Sequence, residues 1–106
     1  MELTCDRLAI DSTTRPRYDA LRGRLGAALI SYSELPSGYV FQLDERLISH
    51  AELSEWMSLE RLCCPFFLFE VEPVASSVLK LRLMGPAESK TVLLAEFGNY
   101  LKAKTN

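Results

Sequence analysis

Two adjacent cysteines followed by a proline interrupt the chain at its most apolar point, Leu59-Glu60-Arg61-Leu62-Cys63-Cys64-Pro65-Phe66-Phe67-Leu68-Phe69. The residue before a proline is driven out of the α region, so a helix running into this stretch must end by Cys64. The residues after Pro65 are aromatic and β-prone. The junction therefore reads as helix, sharp change of direction, then strand, with both thiols at the bend.

The chain on either side can be assigned around that junction. Residues 3–10 carry Leu3, Cys5, Leu8 and Ile10, a weak alternation that predicts a short edge strand before the Asp11-Ser12-Thr13-Thr14 break. Thr14 is a candidate N-cap, Pro16 suits a first helical turn, and Tyr18, Leu21, Leu25 and Ala28 recur at helical spacing. Gly23 and Gly26 each cost about 1 kcal/mol against alanine in a helix, which predicts an end near Gly26. From Leu29 the period changes to two. Ile30, Tyr32 and Glu34 alternate with serines, Pro36-Ser37-Gly38 supplies a turn, and Tyr39, Phe41 and Leu43 alternate beyond it. A hairpin is expected, closed by a positive φ at Gly38.

A second helix is expected over 47–62, opened by Asp44 or by the Ser49-x-x-Glu52 capping box. A strand over 66–72 and another through Leu79, Leu81 and Leu83 should pair so that Glu70 and Glu72 face Lys80 and Arg82. Gly85-Pro86 then precedes a last helix with Leu93, Phe97, Tyr100 and Leu101 as its stripe and Lys102 and Lys104 towards its C-terminal end. The predicted fold class is α+β: a four-stranded antiparallel sheet made of two hairpins and packed on one face by about three helices, in the order α-β-β-α-β-β-α. The two strand-turn-strand-helix halves are similar in length and poor in residue identity, so an internal repeat and a coincidence of architecture both fit.

At 106 residues the chain is expected to be one domain. Its net charge of -2 argues against a nucleic-acid footprint, and no apolar run has the length of a membrane span. The beginning, Met1-Glu2-Leu3-Thr4-Cys5-Asp6-Arg7, has neither the basic start nor the apolar centre of a secretory signal. A bacterial-type cytoplasmic protein is the expectation. In that setting the three cysteines should be free thiols, metal ligands or redox groups, with no structural disulfide framework.

On the wheel of the second helix Leu53, Trp56, Met57, Glu60, Cys63 and Cys64 share one side, whereas His50, Ser54, Ser58 and Arg61 face solvent. Glu60 is the odd member of an apolar stripe: either it reaches water at the stripe's edge, or it finds donors such as backbone N–H groups, Tyr32, Tyr39 or an arginine. Adjacent thiols diverge in regular structure and can converge at a helix-to-extended junction. Converged thiolates suit soft ions, zinc, arsenite, mercury or cadmium, with Glu60 as a third ligand or as the base for a thiol proton. The helix C-terminus works against a thiolate nucleophile, because its negative end raises thiol pKa, and Arg61 offsets this only in part. A Cys-x-x-Cys redox motif is missing, Cys5 is too distant in the chain to be assigned, and His50 is the only histidine.

Three functions compete on these residues. The first is a small thiol-based binding or sensing protein using Cys63 and Cys64, with Glu60 assisting, for soft metal, metalloid or redox chemistry, and with no other cofactor evident. The second is an interaction module, dimeric through residues 66–69 or the second helix, in which the cysteines are only core residues. The third is an enzyme or small-ligand pocket lined by Trp56, Tyr32 and Tyr39, ranked last because no nucleophile-base-orienter set is recognisable. No nucleic acid or membrane partner is expected, and a homodimer is the partner considered.

The run from Leu59 to Glu70, followed by Leu81-Arg82-Leu83 and Gly85-Pro86 and preceded by Arg17-Tyr18-Asp19-Ala20-Leu21 and Leu35-Pro36-Ser37-Gly38-Tyr39, resembles a group of small uncharacterised bacterial proteins with a Glu-Arg-x-Cys-Cys-Pro-Phe signature. That resemblance spans residues 14–101. It implies membership of the group and no settled activity.

Overall fold

The computed structural model describes residues 5–103, with side chains to residue 98. Its order is α1 (Arg15–Ala28), β1 (Leu29–Leu35), β2 (Gly38–Asp44), α2 (His50–Cys63), β3 (Leu68–Ala75), β4 (Val78–Met84) and α3 (Ser89–Ala103), after a short 3-10 turn at Arg7–Ala9. The α+β architecture is as expected: one antiparallel sheet in the order β1-β2-β4-β3.

The two hairpins meet along their second strands, Phe41 opposite Leu81 and Tyr39 opposite Leu83. This order follows from composition. The strands β2 and β4 carry the large inward side chains Tyr39, Phe41, Leu43, Leu79, Leu81 and Leu83, all buried, and so take the centre. The edge strands bury little: in β1 only Leu29 is buried, and in β3 no residue is. Strand β1 exposes Ser31, Ser33 and Glu34, and β3 contains Pro73, beside which its register slips; proline lacks the ladder N–H and is tolerated at an edge. On the outer face Glu70 lies opposite Arg82 and Glu72 opposite Lys80, and Arg82 reaches Glu72 at 3.5 Å, the pairing that the charge pattern predicts.

Several local expectations are corrected. No strand forms over residues 5–10; instead Asp6 accepts the Leu8 N–H at 3.0 Å, nucleating the 3-10 turn, and Ile10 enters the core. Leu3 lies outside the described residues. Helix α1 runs through Gly26 to Ala28, and Thr14 makes no side-chain cap; burial of Leu25 and Ala28 outweighs the glycine penalty. Gly38 is required for a different reason than turn geometry. No described glycine has positive φ, but a Cβ at Gly38 would stand 1.9 Å from the Leu83 carbonyl oxygen, so the glycine admits the neighbouring strand. Helix α2 starts at the capping box: the Ser49 hydroxyl accepts the Glu52 N–H at 3.0 Å, while Glu52 Oε1 accepts the Ser49 N–H at 3.0 Å. In α3, Leu93 and Phe97 are buried as expected; the side chains of Tyr100, Leu101, Lys102 and Lys104 lie outside those described.

Candidate functional site

Three segments far apart in sequence converge at the C-terminal end of α2. Cys64 takes φ −130° and ψ 69°, non-helical backbone ahead of Pro65, while its N–H still donates to the Glu60 carbonyl at 2.7 Å. Helix and bend together aim the two adjacent side chains at one space. The Cys63 and Cys64 Sγ atoms are 3.8 Å apart, so the convergence expected at this junction is present.

Glu60 is completely buried, with 0% exposure, and does not reach water at the stripe's edge. Its donor is Tyr18, from the buried side of α1, whose hydroxyl donates to Oε2 at 2.8 Å. Tyr32 and Tyr39, considered for that role, pack edge to face on one another with centroids 6.1 Å apart, and Lys90 stands over the Tyr39 ring. Glu60 Oε1 faces the sulfurs, 3.2 Å from Cys64 Sγ and 3.6 Å from Cys63 Sγ.

Cys5, which the sequence leaves unassigned, joins this group. Its sulfur is bonded to that of Cys64 across a sequence separation of 59, leaving Cys63 as the free and buried cysteine. Of the states expected for the cysteines, free thiols, metal ligands or redox groups with no structural disulfide framework, Cys63 is a free thiol while Cys5 and Cys64 are joined in one disulfide. Approach is possible because the Asp6 N–H donates to the Cys63 carbonyl at 2.8 Å and Arg7 Nε to Asp19 Oδ1 at 3.1 Å, laying residues 5–7 over the end of α2 and the side of α1.

The electrostatics are set by exclusion of water. Burial pushes the Glu60 carboxyl above its ordinary range, more than the hydrogen bond from Tyr18 and the guanidinium of Arg22 pull it down. A disulfide sulfur carries no proton. The contact between Cys64 Sγ and Glu60 Oε1 is therefore a hydrogen bond only with the carboxyl protonated and donating to sulfur, which agrees with the raised pKa. Burial, with Glu60 second, pushes the Cys63 thiol up to about 11, so at neutral pH it is a neutral thiol and a poor nucleophile. Tyr18 is likewise raised, by burial first and then by Glu60. Arg22 is turned to Glu96, 3.0 Å from its carboxylate.

Cys5, Glu60 and Cys64 each offer a ligand atom within 4.8 Å of the others, and Cys63 adjoins them. His50, at the exposed start of α2, is remote in the helix from its C-terminal end and takes no part. Trp56 is fully buried against Phe69 at 5.7 Å and Phe97 at 6.1 Å. It lines, with Leu25, Leu29, Phe41 and Leu81, an apolar cavity of about 20 Å³ between helices and sheet, room for one water and too little for a metabolite. Tyr32 and Tyr39 are not among that cavity's walls.

Two members of the cluster, Tyr18 and Cys5, escape a reading of the sequence. A signal existed for Tyr18: a buried tyrosine needs a partner for its hydroxyl, and a buried glutamate needs a donor. Nothing comparable marks Cys5, because a disulfide partner is not deducible from sequence. The chain matches no protein-family model, no curated protein and no solved structure.

Proposed function

We propose that this chain is a small cytoplasmic thiol-based sensing and binding protein, akin to the small bacterial proteins with the Glu-Arg-x-Cys-Cys-Pro-Phe signature. Its centre is Cys5, Cys63 and Cys64 gathered over Glu60. The closed state holds the Cys5–Cys64 bond; the open state presents three thiols. One observation carries this reading: the Cys64 sulfur touches a bonding partner, a free thiol at 3.8 Å and a buried carboxyl at 3.2 Å at once.

Cysteines kept only for packing need no such neighbour. A carboxyl withdrawn from water costs several kcal/mol unless compensated, and here its hydrogen bonds come from one tyrosine and the sulfurs, with the Arg22 guanidinium acting through charge alone. The core-residue reading leaves Glu60 without a purpose, and the thiol reading gives it one, as the hydrogen-bonding partner of whichever sulfur form is present.

Equilibration in glutathione or dithiol redox buffers, followed by acid quenching and thiol counting on the unfolded chain, tests the proposal. One free thiol is expected under oxidising conditions and three under reducing ones, with a midpoint inside the cellular range of roughly −180 to −320 mV. A count fixed at one, or at three, across that range would end the sensor reading.

A dimer is the second reading. Leu62 and Leu68, 54% and 64% exposed, lie on either side of the cysteine pair in the chain, and apolar side chains so placed suit a second copy. Light scattering that gives a monomer mass at high concentration would remove it.

A further inference from the structure

Resting on the reading of Cys5, Cys63 and Cys64 as a working thiol centre, we propose that its reduced form binds a trivalent metalloid hydroxide. The ligand class is neutral arsenite or antimonite, held on three sulfurs in preference to a divalent metal ion.

The spacing suits a small soft centre. Two sulfurs each about 2.3 Å from one shared atom stand roughly 3.5–3.8 Å apart at pyramidal or tetrahedral angles, and Cys63 and Cys64 Sγ are 3.8 Å apart. The third sulfur is at hand, since Cys5 is bonded to Cys64 in the closed state. Softness alone would also admit zinc, cadmium or mercury.

Charge separates these candidates. Cys63 is 2% exposed and both Cys64 and Glu60 are 0% exposed, and among the described residues no lysine or arginine is hydrogen-bonded to any of them. A divalent ion on three thiolates leaves a net negative complex in that dry space, more so with Glu60 as a fourth ligand; the nearby Arg22 guanidinium offsets the Glu60 burial only in part and is already paired with Glu96, and an incompletely compensated buried charge is costly. A trivalent metalloid on three thiolates is neutral.

The chemistry balances without a redox change at the metalloid. A small-molecule dithiol first reduces the Cys5–Cys64 bond: it delivers two electrons and two protons to the two protein sulfurs and closes to its own disulfide. Each of the three thiols then replaces one hydroxide, an S–As bond forming as an O–As bond breaks, with the thiol proton leaving on the hydroxide as water. Three waters depart and arsenic stays trivalent. Cys5 is the half-buried member of the set, so opening its bond admits the ligand from the solvent side.

The test uses the full chain, reduced with a phosphine, desalted without oxygen and titrated with sodium arsenite. Expected are saturation at one arsenite per chain, protection of three thiols from a chromogenic thiol reagent, and a three-sulfur shell in X-ray absorption. Cys5→Ser, outside every helix and strand, should weaken binding by at least the 10–100-fold that loss of an outer-shell partner produces (about that range); Cys63→Ser should do the same, with folding of both checked by circular dichroism. Equimolar zinc should not displace arsenite. Protection of only two thiols, an affinity unchanged in Cys5→Ser, or displacement by zinc would each overturn the metalloid assignment while leaving the thiol centre standing. A thiol count that stays at one after phosphine would instead remove the centre itself, and this proposal with it.

Discussion

The Tyr18 hydroxyl donates to Glu60 Oε2 at 2.8 Å, across 42 residues of sequence, with both groups buried. This bond joins α1 to α2 and fixes the carboxyl that faces the sulfurs. Tyr18→Phe keeps the ring in the core and removes only the donor, so a buried carboxyl oxygen is left unsatisfied. The expected loss is about 1–3 kcal/mol in urea unfolding. A change within experimental error would mean that Glu60 finds another donor at no cost.

The same carboxyl imposes a pH dependence whose sign is fixed. Burial holds its pKa above the ordinary 4.5, so the folded chain keeps this proton to a higher pH than the unfolded chain. Stability from Glu60 is fully present below pH 4.5 and is lost as pH rises through the folded pKa. Asp19, Asp44 and Glu55 run oppositely, held below their ordinary values by hydrogen bonds from Arg7, Arg46 and Arg17 respectively, and their contribution disappears on acidification. Glu60→Gln isolates the first effect. Relative to wild type, the variant should gain stability as pH rises from 4.5 through the folded pKa and level off above it. Parallel pH profiles for the two proteins would show that Glu60 is not desolvated.

Much of this architecture is legible from local chemistry, because each element is specified within a few residues. The Ser49 and Glu52 capping box, the bend forced by Pro65, and the Glu70 and Glu72 match to Lys80 and Arg82 are short-range signals, and each appears where its chemistry places it. Whatever depends on two distant segments meeting is not legible in this way. Strand order follows from which strands bury the more side chains, a comparison visible only once four strands compete for two central places. Tyr18 and Cys5 reach Glu60 and Cys64 through packing of α1 on α2 and through the backbone bond from Asp6 to Cys63, neither of which has a sequence period. Gly38 shows a third kind of limit: the residue is recognisable as necessary, but its reason lies on β4, 45 residues downstream at Leu83.

Two glycines should therefore respond oppositely to alanine. At Gly38 the added Cβ would meet backbone, the Leu83 carbonyl oxygen at 1.9 Å, and neither strand can yield without breaking the central pairing. A loss of more than roughly 3 kcal/mol is expected, in the range of severe overpacking. At Gly23 nothing lies within 4 Å of the new Cβ and the site is mid-helix in α1, so Gly23→Ala should stabilise by about 0.5–1 kcal/mol. Thermal unfolding of both variants checks the pair, and a mild effect at Gly38 would mean that β2 and β4 are not in register there.

The Cys5–Cys64 bond closes a loop of sequence separation 59, and the chain-entropy relation assigns such a loop roughly 4 kcal/mol of stabilisation. Residues 5–7 are also held by the Asp6 N–H bond to Cys63 and by the pairing of Arg7 with Asp19, contacts that do not need the sulfur. Reduction should therefore lower global stability while leaving this segment in place much of the time. Urea unfolding with and without a phosphine is expected to show the roughly 4 kcal/mol difference in wild type. Cys5→Ser should match the reduced wild type and be indifferent to the phosphine, whereas Cys63→Ser should keep the full dependence because Cys63 is outside the bond. If Cys63→Ser is the variant that loses the response, the bonded pair in solution includes Cys63, and the roles of Cys5 and Cys63 exchange.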